Sequence, residues 1–139
     1  MDTKVCIVTG AGKTTLINLL LDKILPTEGR RSVNKHLRVG HFTHHFVDQL
    51  DLAESAVELM QRKLRGLKEE EYRKMLGKFG VRGSDVLQQI ETLSGGQKAR
   101  VAFAVLASRD PKCLVMDEPT NYLDMDTVEA MGRRSLSSR

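Results

Sequence analysis

The chain has 139 residues, of which 40% are hydrophobic and 29% charged, with a formal net charge of +4. That length supports one domain with a core, and that balance excludes a disordered tail or a fibrous repeat. The longest unbroken apolar run, Val101 to Ala107, falls far short of the ~20 residues of a membrane helix. With no signal-peptide pattern at the start, a soluble intracellular protein with free thiols is expected.

In chain order, Lys4 to Val8 is a β-branched apolar run that predicts a strand. It leads through glycines into a helix beginning at Lys13-Thr14-Thr15 and running through Leu21. Pro26 and Gly29 close that region, and Leu37 to Phe42 predicts a second strand. Ala53, Val57, Met60 and Leu64, then Tyr72, Met75, Leu76 and Phe79, recur at helical spacing and predict two amphipathic helices. Gly80 to Asp85 interrupts the pattern, a short helical piece is expected over Val86 to Ile90, and a helix over Gly96 to Ser108. Lys112 to Met116 then reads as a buried parallel strand that delivers Asp117 and Glu118 at its carboxyl end. The polar tail, residues 133–139, is expected to fray. Strands joined by helices predict an α/β layer with a helical lobe beside it.

Cys6 and Cys113 each sit in an apolar stretch, which fits buried free thiols better than a disulfide framework or a metal site. The positive surplus gathers at Arg30, Arg31, Lys35 and Arg38 and at Arg62, Lys63, Arg65 and Lys68. Such patches either attract polyanions or are plain solvated surface, and few aromatics stand among them to stack on bases.

Three stretches carry chemistry. The loop Gly10-Ala11-Gly12-Lys13-Thr14-Thr15 resembles a phosphate-cradling loop, whose consecutive N–H groups curl around an anion. Asp117, at a strand end, suits a Mg²⁺ site, and Glu118 suits a general base that activates water. Two acids in that position also occur in ordinary turns. Leu93-Ser94-Gly95-Gly96-Gln97 opens a helix with Ser94 at the cap, where unpaired N–H groups and the positive dipole end suit a phosphate.

The run LSGGQKARVAFA followed by VMDEPTNYLD resembles the ATP-binding cassette ATPases, and its DEPTN-x-LD form is similar to the soluble ABC-F group, in particular a second cassette of such proteins. The similarity spans about residues 2 to 132. It implies a P-loop NTPase-like partial cassette with a mostly parallel sheet, a core over 1–50 and 93–132 and a helical lobe over about 51–92. It further implies ATP and Mg²⁺ as ligands and ATP hydrolysis in the cytoplasm, linked to ribosomes and translation rather than to a membrane. Two cassettes of the family close head to tail, so Leu93, Ser94, Gly95, Gly96 and Gln97 would contact ATP held by the phosphate loop of a second cassette. By the same resemblance Lys13 would neutralise the β- and γ-phosphates, Thr14 would join Asp117 on Mg²⁺, and Asp124 would bridge the pair.

The chain departs from that pattern in three places. Only Thr9 stands between Val8 and Gly10, so the loop is two residues short and Ile7 occupies the place of its first glycine. A β-branched residue disfavours the backbone conformation that glycine takes there. Weakened phosphate binding is expected, or a strand that yields two residues to the loop. His44 takes the place of a glutamine that senses Mg²⁺ and water; were the segment a strand, His44 and His45 would face opposite ways and no site with His41 would form. No histidine follows His45, and little precedes Lys4 to stack on adenine, as expected of an interior slice of a cassette with open sheet edges. A degenerate cassette serving as a ribosome- or protein-binding module is the alternative.

Overall fold

The computed structural model describes residues 4–8 and 14–117. Three parallel strands form one sheet in the order β1 (Lys4–Val8), β3 (Cys113–Asp117), β2 (Val39–Phe42), with β3 in the centre. The register sets Val8 opposite Asp117 and Phe42 opposite Met116. β3 is flanked on both sides, which is why its sequence is continuously apolar; Leu114, Val115 and Met116 are all buried.

Helices α1 (Thr14–Leu20) and α2 (His44–Asp48) follow β1 and β2. The lobe contains α3 (Ala56–Lys63) and α4 (Glu69–Lys78), and α5 (Gly95–Ser108) returns the chain to the sheet. The α/β class and the parallel sheet are as the sequence predicts. Ala99 and the six residues from Val101 to Leu106 are buried, so α5 is apolar on nearly every side and serves as the core helix. Leu114 and Met116 share its cluster with Phe42, Met60, Tyr72 and Leu76. Phe103 links sheet to lobe, with its ring 5.5 Å from Phe42 and 5.6 Å from Phe79. Burying side chains of this size stabilises by roughly 1.5–3 kcal/mol each before entropy is counted. At Gly40 an added methyl would meet Leu114 Cδ1 at 3.1 Å and Pro111 Cβ at 3.2 Å, so glycine lets β2 seat closely.

The lobe is held by local polar closure. Ser55 caps α3 in a reciprocal box: its Oγ accepts from the Glu58 N–H at 3.3 Å, and Glu58 Oε2 accepts from the Ser55 N–H at 2.8 Å. The buried Tyr72 donates its hydroxyl to the Leu64 carbonyl and accepts from the Leu67 N–H at 3.2 Å, which ties α4 to the turn before it. Gly80, at φ +82°, ends α4 with its own N–H donating to the Gly77 carbonyl and the Val81 N–H to that of Leu76. That conformation favours glycine and satisfies carbonyls that a helix end leaves open.

Four expectations need correction. The second strand starts at Val39 rather than Leu37. The helical piece expected over Val86 to Ile90 is instead two 3-10 turns, Gly83–Val86 and Ile90–Thr92. Between them the chain bridges back to α3, with the Ile90 N–H donating to the Glu54 carbonyl at 2.9 Å and Gln89 pairing with Ser55. His44 opens α2 instead of extending a strand, so the alternation argument for His44 and His45 does not apply. Cys113, expected to be buried, is only half-buried, because it stands at the first position of β3.

Candidate functional site

The first half of the site is the start of α5. Leu93 is buried and anchors the turn, while Ser94, Gly95 and Gly96 are exposed. Ser94 caps the helix as expected: its Oγ accepts from the Gln97 N–H at 3.2 Å, and Gln97 Oε1 accepts from the Ser94 N–H at 2.8 Å. The first-turn N–H groups of Gly95 and Gly96 have no partner within the helix by its geometry, and they sit at the positive dipole end. Among the described residues a methyl added at either glycine would meet no atom within 4 Å beyond its chain neighbours and its own helix backbone, and neither has a positive φ. Nothing among the described residues therefore calls for glycine at these two positions. A bare, unobstructed helix start is suited to an anion brought close from outside.

The second half is the carboxyl edge of the sheet. Asp117 closes β3, half-exposed, directly beside Val8, where the chain leaves β1 toward α1. Thr14 and Thr15 stand exposed on the first turn of α1. The topology thus brings Asp117 to the strand edge from which the phosphate-loop sequence departs. A threonine hydroxyl and an aspartate carboxylate are hard oxygen donors of the kind Mg²⁺ takes. Gly10, Ala11, Gly12, Lys13, Glu118 and Asp124 lie outside the described residues, as does the tail 133–139. His44 begins α2 beyond the end of β2, and His45 is exposed with Nδ1 3.8 Å from Asp48 Oδ2.

Two features were not anticipated from sequence. His41 on β2 buries its Nε2 without a hydrogen-bond partner among the described residues. Burial, then the Lys23 ammonium, hold this imidazole below its ordinary pKa, while the Asp117 carboxylate acts in the opposite sense. The second is Asp85, whose Oδ2 accepts from Gln97 Nε2 at 2.8 Å across twelve residues of chain. Helical spacing gives no hint of it, since the contact joins two elements.

The ABC transporter family model matches residues 8–121, and the chain belongs to that family. Among curated proteins it is similar to ATP-binding cassette sub-family F member 3 of Homo sapiens, 47% identical over 135 residues, and to Protein GCN20 of Saccharomyces cerevisiae, 46% identical over 133 residues. These alignments cover 96% and 94% of this chain, and they place it in the ABC-F group. The chain spans only 19% and 18% of those relatives' lengths. Among solved structures, the dimeric bacterial ABC transporter cassette MJ0796 superposes with a TM-score of 0.61 at 27% identity, covering 93% of this chain and 66% of that one. A metal-chelate type ABC transporter in an inward-facing conformation superposes at 0.65 and 20% identity, covering 97% and 58%. That second likeness bears on fold alone. Among the described residues no helix is long and apolar enough to cross a membrane.

Proposed function

We propose that this chain binds ATP with Mg²⁺ and hydrolyses it as one member of a pair of ABC-F cassettes, in the cytoplasm and in association with ribosomes. The observation that carries the reading is the open start of α5, where two glycines that no described residue crowds leave a capped helix terminus clear for a phosphate. The dimeric state of the MJ0796 cassette supports pairing with a second cassette, in this chain or a longer one. The ribosome and translation enter through the ABC-F resemblance.

In this reading Gly10, Ala11, Gly12, Lys13, Thr14 and Thr15 hold the phosphates, and Thr14 and Asp117 hold Mg²⁺, which shields the charge on the β- and γ-phosphates when bound. Glu118 takes a proton from the attacking water. Ser94 to Gln97 face the nucleotide of the second cassette while buried Leu93 holds the turn from beneath, His44 stands near the metal, and Asp124 bridges the pair. The loop is two residues short, so fewer backbone N–H groups surround the phosphate and affinity for ATP is lowered.

Steady-state ATP turnover of the chain, alone and mixed with a complete ABC-F cassette, tests this. Turnover that Glu118→Gln abolishes, with ATP binding that Lys13→Ala removes, is the expected result. Absence of both binding and turnover overturns it in favour of a binding module that works through its basic face and helical lobe.

A further inference from the structure

We infer that Asp85 is a positioning residue for the LSGGQ turn: its carboxylate decides which way round the Gln97 amide stands, and that amide holds Ser94 ready for a phosphate. The inference rests on the nucleotide reading given above.

The two ends of a glutamine amide have nearly the same shape and opposite hydrogen-bonding sense, so its orientation is fixed by its partners. Gln97 has one partner at each end. Asp85 Oδ2, which can only accept when ionised, lies 2.8 Å from Nε2, and the Ser94 N–H, which can only donate, lies 2.8 Å from Oε1. Turned over, the amide would set oxygen against oxygen and N–H against N–H. The backbone N–H of Gln97 meanwhile donates to Ser94 Oγ at 3.2 Å. An oxygen that accepts this bond keeps its own proton for another acceptor, and Ser94 is exposed, as are Gly95 and Gly96 beside it in sequence. The result is a chain of bonds from carboxylate to amide to cap, with one hydroxyl proton left to point outward.

Asp85 is itself anchored. It lies in the 3-10 turn Gly83–Val86, where Val86 is buried and the Asp85 N–H donates to the Arg82 carbonyl at 3.2 Å. Arg82 Nε donates in turn to the Gly77 carbonyl near the end of α4, at 3.2 Å. The capping box alone would need no residue from the lobe. An acid placed near a phosphate-binding turn opposes an incoming anion by its charge, so a hydrogen bond that an uncharged acceptor can also make is the function that remains for it.

That conclusion separates two substitutions. Asp85→Asn keeps an acceptor for Nε2 and drops the charge, whereas Asp85→Ala removes the acceptor. The test uses the full chain carrying Glu118→Gln, so that bound ATP persists, with ATP-dependent association followed by analytical ultracentrifugation in Mg²⁺. Binding of a fluorescent ATP analogue to the unassociated chain is measured in parallel. Asp85→Ala is expected to raise the ATP concentration for half-maximal association about tenfold, the scale of one charged hydrogen bond transmitted in part. Analogue binding stays unchanged, and Asp85→Asn restores association. Association unaltered in Asp85→Ala, or equally weakened in Asp85→Asn, overturns the inference and leaves an ordinary helix-dipole role for the acid. If the chain with Asp85 intact does not associate in ATP, the pairing reading fails separately. Amide exchange at Ser94 by NMR then decides the positioning role: faster exchange in Asp85→Ala that Asp85→Asn reverses supports it, and unchanged exchange overturns it.

Discussion

Helices α5 and α1 both carry a glycine signal at their starts, Gly95 and Gly96 within the first turn of α5 and Gly10-Ala11-Gly12 in the sequence ahead of α1, yet the two helices are held very differently. α5 runs fourteen residues, starts in a reciprocal capping box and buries Ala99 and Val101 to Leu106. α1 runs seven, buries Ile17, and leaves Leu16 and Leu20 50% and 45% exposed among the described residues. A helix of that length has little stability of its own in water. The turn at the start of α5 is thus fixed by this chain's core. The first turn of α1, with Thr14 and Thr15 exposed, draws less on packing and, in the function proposed above, stands to gain more stability from a bound ligand.

The strongest way to break this contrast is to hollow out the support of α5. Phe103→Ala should cost about 3–5 kcal/mol, because the ring joins Phe42 of the sheet to Phe79 of the lobe, and urea unfolding will read the loss. Ser94→Ala should cost about 1 kcal/mol in the same assay through the lost cap, and should weaken ATP-dependent association as well.

A pH series sharpens the sheet side of the comparison. His41 is held below its ordinary pKa in the folded chain, so the unfolded chain takes up a proton first, below about pH 6.5. Its contribution to stability is therefore complete above that pH and falls as pH drops below it, until the folded imidazole titrates too. His41→Phe should flatten the difference in melting temperature between pH 7.5 and pH 5.5 relative to the parent. The smallest effect on stability is expected at Gly96→Ala, within about 0.5 kcal/mol, since the added methyl meets nothing. The same change should nevertheless abolish ATP-dependent association. Loss of stability there instead would show that the glycine serves the fold.

The parts of this arrangement that were legible in sequence are those whose signal is local. Ser94 before two glycines and Gln97 writes a helix start in four residues, and the apolar run ending at Asp117 writes a strand flanked on both sides. Where partners are distant the signal disappears. Val86 and Ile90 stand four apart as in a helix, but the Ile90 N–H is drawn away to Glu54 and the segment splits into two turns. α2 was hidden for another reason: Thr43-His44-His45 has neither a working side-chain cap nor apolar spacing, and a five-residue helix offers too little pattern to read. The Asp85 to Gln97 bond and the unpartnered nitrogen of His41 both depend on how elements come together, which residue spacing does not encode.

Gly40 gives the contrast a mechanical side. With no carbon to spare between β2, Leu106 on α5 and Leu114 on β3, the strand that leads into α2 and the helix that presents LSGGQ meet along a seam without slack. A push at one end of such a seam is passed to the other as motion of a solid piece rather than absorbed as compression, which couples the start of α2 to the helix that begins at LSGGQ.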